Sequence, residues 1–91
     1  EVSSALAAVE RAAQVTAERE RRQVALEQSV ESANALFGAG KASYLDVLIA
    51  QQGALEAELE LVEARLAQRN AGIALYRALG GGWRSAERAP D

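Results

Sequence analysis

From Val2 to Phe37 the chain contains neither glycine nor proline, and then two glycines, Gly38 and Gly40, arrive within three residues. No other feature limits the fold so strongly. An uninterrupted run rich in Ala, Leu, Glu, Gln and Arg favours helix, because these side chains lose little rotamer freedom there. Glycine breaks such a run, since it loses most backbone entropy in a helix and readily takes positive φ. The sequence therefore predicts a helix over about 2–37, a tip turn over 38–42 and a second helix over about 43–79. Ser43 followed by Asp46 makes a capping-box-like start for that second helix. Gly80, Gly81 and Gly82 are expected to stop it, with Trp83 packing to anchor the chain end. Residues 84–91, polar and holding the single proline, are expected to fray.

The apolar spacing supports two helices and no strands. Leu26, Val30, Ala33 and Phe37 recur by four, three and four residues, as do Leu6, Val9 and Ala13 by three and four. In between, Glu18 to Gln23 is highly polar, with Glu18 and Arg22 at i,i+4 spacing. The second helix carries the stripe Leu48, Gln52, Leu55, Leu59, Val62, Leu66, Arg69, Ile73 and Tyr76, whose alternating steps of four and three are those of a coiled-coil seam. Gln51 and Gln52 are candidate register elements there. A short connection makes the helices, each about 55 Å long at 1.5 Å per residue, antiparallel neighbours. With the turn near Ala39–Gly40, facing positions have numbers summing to about 80. Arg19, Arg21 and Arg22 then lie level with Glu56, Glu58, Glu60 and Glu63, and Glu10 near Arg69. The fold class is thus all-α, an antiparallel two-helix coiled-coil hairpin. The alanine faces around Ala5–Ala8 and at Ala64, Ala67 and Ala71 suggest further close helix neighbours, so the hairpin is expected to oligomerise, as a dimer or a helical bundle, or to belong to a larger helical barrel.

Composition excludes more than it assigns. The 91 residues include no Cys and no His, which removes thiolate metal sites, most zinc chemistry and the usual general base. No catalytic residue, metal site or cofactor is indicated. A net charge of −3, with Glu18 and Glu20 interleaved in the Arg19–Arg22 cluster, argues against nucleic acid as a partner. No apolar run approaches the roughly 20 residues of a spanning helix, and no signal-peptide pattern opens the chain. The start at Glu1 and the absence of methionine suggest a fragment or processed product. Tyr44 and Tyr76, at opposite ends of the second helix, read as packing residues.

Two segments together carry a resemblance. Phe37-x-x-Gly40-x-x-Ser43-Tyr44-Leu45-Asp46-Val47-Leu48-x-Ala50-Gln51, followed at a fitting distance by Leu75-Tyr76-Arg77-Ala78-Leu79-Gly80-Gly81-Gly82-Trp83, resembles the C-terminal part of TolC/OprM-type outer membrane factors. That resemblance implies a trimeric parent with an outer-membrane β-barrel and a long periplasmic α-helical barrel, forming the exit duct of efflux or secretion systems in Gram-negative bacteria. Its implied partners are a membrane-fusion adaptor and an inner-membrane pump, and the membrane is met only through a β-barrel that has no counterpart here. The first segment matches the periplasmic tip of a helical hairpin. Gly38, Gly40, Lys41, Ala42 and Ser43 match the adaptor-contacting turn, and Lys41 is placed to meet an adaptor carboxylate. Asp46 matches an acidic aperture position, besides reading by itself as a helix-start acid. Ile49 stands where many relatives carry a second Asp, which implies a more apolar constriction. Phe37 stands where Tyr is common. Gly80, Gly81, Gly82 and Trp83 match the structural terminus of the final helix. The competing reading is a free-standing hairpin acting as a coiled-coil interaction module.

Overall fold

The computed structural model describes the backbone of residues 1–88 and the side chains of residues 1–80. Two helices fill it, α1 (Val2–Gly38) and α2 (Tyr44–Arg88), and they run antiparallel as a rod of 78 × 14 × 12 Å. No strand is present among the described residues.

The turn is built from two complementary capping devices. At the end of α1 the Lys41 amide donates to the Leu36 carbonyl at 2.8 Å and the Gly40 amide to the Phe37 carbonyl at 3.0 Å. That is the paired bonding of a Schellman motif, which requires a left-handed residue, and Gly40 supplies it at φ 74°. At the start of α2 the Ser43 amide donates to Asp46 Oδ2 at 3.0 Å, and the Asp46 amide donates back to Ser43 Oγ at 3.3 Å. The capping box therefore forms with aspartate at its third position.

The register is the one expected. Thr16 is the one buried polar residue among those described. Its hydroxyl lies 2.9 Å from the Ala12 carbonyl and 3.3 Å from that of Ala64, a residue whose number with Thr16 sums to 80. Either side of this contact, Glu60 Oε1 accepts from Arg22 Nη1 at 2.9 Å and Arg19 Nη1 at 3.4 Å, and Arg65 donates to Glu20 at 3.2 Å. Neither Glu10–Arg69 nor Glu18–Arg22 forms an ion pair; Arg22 is drawn across to α2 instead.

The seam itself differs from the expected one. On α2 the buried residues are Val47, Ala57, Leu61 and Ala64, and Ala50, Ala54, Gln68, Ala71, Leu75 and Ala78 continue the same alternating three-and-four spacing, all half-buried. The stripe of larger residues from Leu48 to Tyr76 faces away; Leu55 is 65% and Leu59 62% exposed. Both stripes have heptad spacing, and the small one wins the contact because α1 opposes it with bulky groups. Arg19, Gln23, Leu26 and Val30 sit half-buried along its inner face, their stems filling the space that alanine leaves. The alanines at 64 and 71 thus lie inside the hairpin rather than awaiting an external neighbour, while Ala67 is exposed.

The far end also differs. α2 does not stop at Leu79; its helical backbone passes through Gly80, Gly81 and Gly82 and reaches Arg88. A glycine inside a helix costs about 1 kcal/mol relative to alanine, a penalty that cooperative propagation on both sides can offset. No proline intervenes before Pro90. The side chain of Trp83 and the last residues of the expected polar tail, 89–91, lie outside the described residues.

Candidate functional site: the hairpin tip

The residues singled out at the turn are brought together by the two caps. Gly38 is the last residue of α1, Gly40 the left-handed one, Lys41 the exposed residue after it, and Ala42 is half-buried beneath the turn. Ser43 caps α2, and Asp46 completes the box one turn in. A Cβ on Gly38 or Gly40 meets no heavy atom within 4 Å. Gly40 is therefore required for its φ rather than for close packing inside the hairpin.

The tip is apolar as well as tight. Leu36 and Phe37 on α1 and Tyr44 and Leu45 on α2 are all exposed. The Phe37 and Tyr44 rings meet at 5.5 Å between centroids with an interplanar angle of 53°, a tilted contact favoured by the ring quadrupoles. This pair bridges the two helices across the turn, and the leucines flank it. Reading the sequence residue by residue missed the group, although apolar residues on both sides of a glycine turn are a visible signal: a solvated loop tip has no use for them.

Asp46 and Ile49 lie three residues apart on the first turns of α2, both exposed and neither covered by α1. Gly80, by contrast, is remote from the tip, at the far end of the rod, and half-buried within α2.

A groove between the helices is lined in part by Glu27, Val30, Glu58 and Leu55. It is open along its length and bounded by carboxylates, which gives it no convergent set of catalytic groups. Among the described residues no helix is long and apolar enough to cross a membrane.

Residues 1–81 match the family model described as outer membrane efflux protein. The chain belongs to the outer membrane efflux protein family. Two relatives are similar along nearly all of it. The pyoverdine export outer membrane protein OpmQ of Pseudomonas putida is 33% identical over 92% of this chain, and the cation efflux system protein CusC of Escherichia coli O157:H7 is 32% identical over 91%. The chain spans only 19% and 18% of those proteins, about a fifth of their length. No solved structure matches. Both relatives are named for export or efflux rather than for catalysis, and membership of this family places the hairpin among efflux proteins of the Gram-negative outer membrane.

Proposed function

We propose that this hairpin is a segment of the periplasmic α-helical barrel of an outer membrane efflux duct, and that its tip docks a membrane-fusion adaptor and takes part in gating the pore. The observation that carries the reading is the tip: a doubly capped turn that presents Phe37, Tyr44, Leu36 and Leu45 to solvent. A rigid apolar knob costs little entropy to bind and gains by being covered. Lys41 beside it offers a cation to a carboxylate on the adaptor. Asp46 and Ile49 would form the aperture, the carboxylates of symmetry-related copies favouring cations and the isoleucines narrowing the constriction. Opening is then a splaying of helix pairs at the tip. Trimeric assembly and an inner-membrane pump belong to the same reading.

The two relatives carry different cargo in their names, pyoverdine and cations, so the likeness assigns none to this hairpin.

Two experiments on the parent duct test the reading. A photocrosslinker in place of Lys41 should trap the adaptor, and the same probe at Ser29, on an exposed stretch away from the tip, should not. Asp46→Ala should lower the cation preference of single-channel currents. Unchanged conductance and ion preference would remove the aperture role, and equal crosslinking at the two positions would remove the docking role.

A further inference from the structure

One heptad beyond Ile49 on α2 stands Glu56. Seven residues bring a helix back to nearly the same direction, so Glu56 lies on the flank of the hairpin that carries Ile49 and Asp46. The ion pairs fix which flank that is. Glu60, two heptads from Asp46, is met there by Arg22 of α1. Arg65 reaches Glu20 on the opposite flank. Glu58, one heptad before Arg65, lines the groove on that opposite side. Although only two residues from Glu56, Glu58 is about 200° round the helix from it. We propose that Glu56 is a second determinant of ion preference in the duct, lining the conduit behind the aperture. This rests on the reading of Asp46 and Ile49 as aperture residues and carries it further along the same flank.

Glu56 is exposed and takes part in no ion pair among the described residues. The cation at its level, Arg22, is held by Glu60 at 2.9 Å, and Arg19 approaches the same oxygen at 3.4 Å. The charge of Glu56 is therefore uncompensated within the hairpin. A helix packed over this flank would desolvate that carboxylate with no cation of the hairpin to meet it, which is costly. Water on this flank avoids that cost. The flank is also low. Gly53 lies midway between Asp46 and Glu60, one heptad from each, and by the register Ser29 of α1 faces it, with Ala25 and Ser32 on either side. Glycine weakens a helix interior, yet a Cβ at Gly53 would meet no heavy atom within 4 Å. Packing inside the hairpin gives no reason for a glycine there. A conduit gives one, because the missing side chain leaves hydrated ions a clear path from Asp46 to Glu56.

The spacing decides how the two carboxylates act together. Glu56 is 10 residues beyond Asp46, ~15 Å along the axis at 1.5 Å per residue. That exceeds the Debye length of about 10 Å at 0.1 M salt but not the length of about 30 Å at 0.01 M. In a threefold assembly the two rings of carboxylates act separately at the higher salt and as one field at the lower. Farther along, the file leaves the conduit. A supercoil of ~150 Å pitch turns the flank by ~25° per heptad, so Glu56 stays close behind Ile49. Arg77, four heptads on from Ile49, is ~100° away.

The test uses the parent duct in a planar bilayer, with reversal potentials read across a salt gradient. Glu56→Gln keeps the shape and removes the charge. It should lower the ratio of cation to anion permeability about twofold at ~0.1 M salt, and by more at ~0.01 M. Glu58→Gln on the other flank should leave the ratio unchanged. Glu56→Cys, in a parent without other cysteines, reads the sign of the charge. A methanethiosulfonate bearing a sulfonate should restore the preference, and one bearing a trimethylammonium should lower it further. No effect of Glu56→Gln, an effect matched by Glu58→Gln, or a thiol at 56 that neither reagent reaches would each overturn the proposal. Asp46→Ala separates the two readings. If it shifts the preference and Glu56→Gln does not, the aperture stands and Glu56 falls; if neither shifts it, both fall.

Discussion

The two faces of α2 have the same periodicity and opposite fates. One is mostly alanine and lies against α1, with Ala57 at 2% exposure; the other is mostly large apolar residues and lies open, with Leu59 at 62%. A rule that large apolar residues go inside would choose the wrong face. Close approach of two helices requires one of them to be small at the contact, and the longer side chains of α1 then fill the space. Burial within a unit and apolar size are separate properties, and a large residue left outside marks where the next element belongs.

The strongest way to break this comparison is to exchange the sizes. Ala57→Leu inserts three carbons into the tight seam and should destabilise the hairpin by ~1–3 kcal/mol. Leu59→Ala on the open face should change it by ~0.5 kcal/mol or less. Both are read by thermal unfolding followed by circular dichroism, at a concentration low enough to keep the chain monomeric. Equal effects would mean that the open face is covered within one chain.

A second, somewhat smaller effect lies at the turn that sets the register of both faces. Gly40→Ala forces a side chain into the left-handed region and should cost ~1–2 kcal/mol, although the space around it is empty. Gly38→Ala, in the α1 helix and equally uncrowded, should be neutral or slightly stabilising. If the two behave alike, crowding rather than φ governs the tip.

Thr16→Val sharpens the seam side of the comparison. It keeps the shape, removes the hydroxyl that spans the Ala12 and Ala64 carbonyls, and should cost ~1 kcal/mol. Smallest is Glu60→Gln, which weakens two half-exposed ion pairs at once and should cost under ~1 kcal/mol, fading as salt is raised.

The sequence displays the hairpin plainly. The glycine-free run of α1, Ser43 with Asp46 and the opposed Arg and Glu groups are local signals, and they lead to the helices, the capping box and a register sum of 80 seen at Thr16 and Ala64. The choice of seam was not legible from α2 alone, because two stripes with heptad spacing compete and only the side chains of α1 decide between them. Arg19 and Gln23 look polar on paper yet pack as stems. The run of α2 past Gly80 was hidden for another reason: three glycines raise the cost of a helix without forbidding it, and the outcome depends on the residues beyond. At the tip, the capping roles of Ser43 and Asp46 follow from spacing, whereas the Phe37–Tyr44 contact depends on how the turn brings two helices to one end.

The doubly capped turn also governs the order in which the rod can assemble. With a radius of gyration of 21.2 Å, against ~12 Å for a compact domain of this length, each cross-layer touches only the layers beside it. By the register, Ala33 faces Val47 across 14 residues of chain, while Ala5 faces Leu75 across 70. Closing the longer loop first would cost ~1.4 kcal/mol more in chain entropy. Zipping outward from Gly40 avoids that cost, because every new layer closes on one already made. Opening runs the same path backwards, so amide exchange should be fastest at the chain ends and slowest beside the turn.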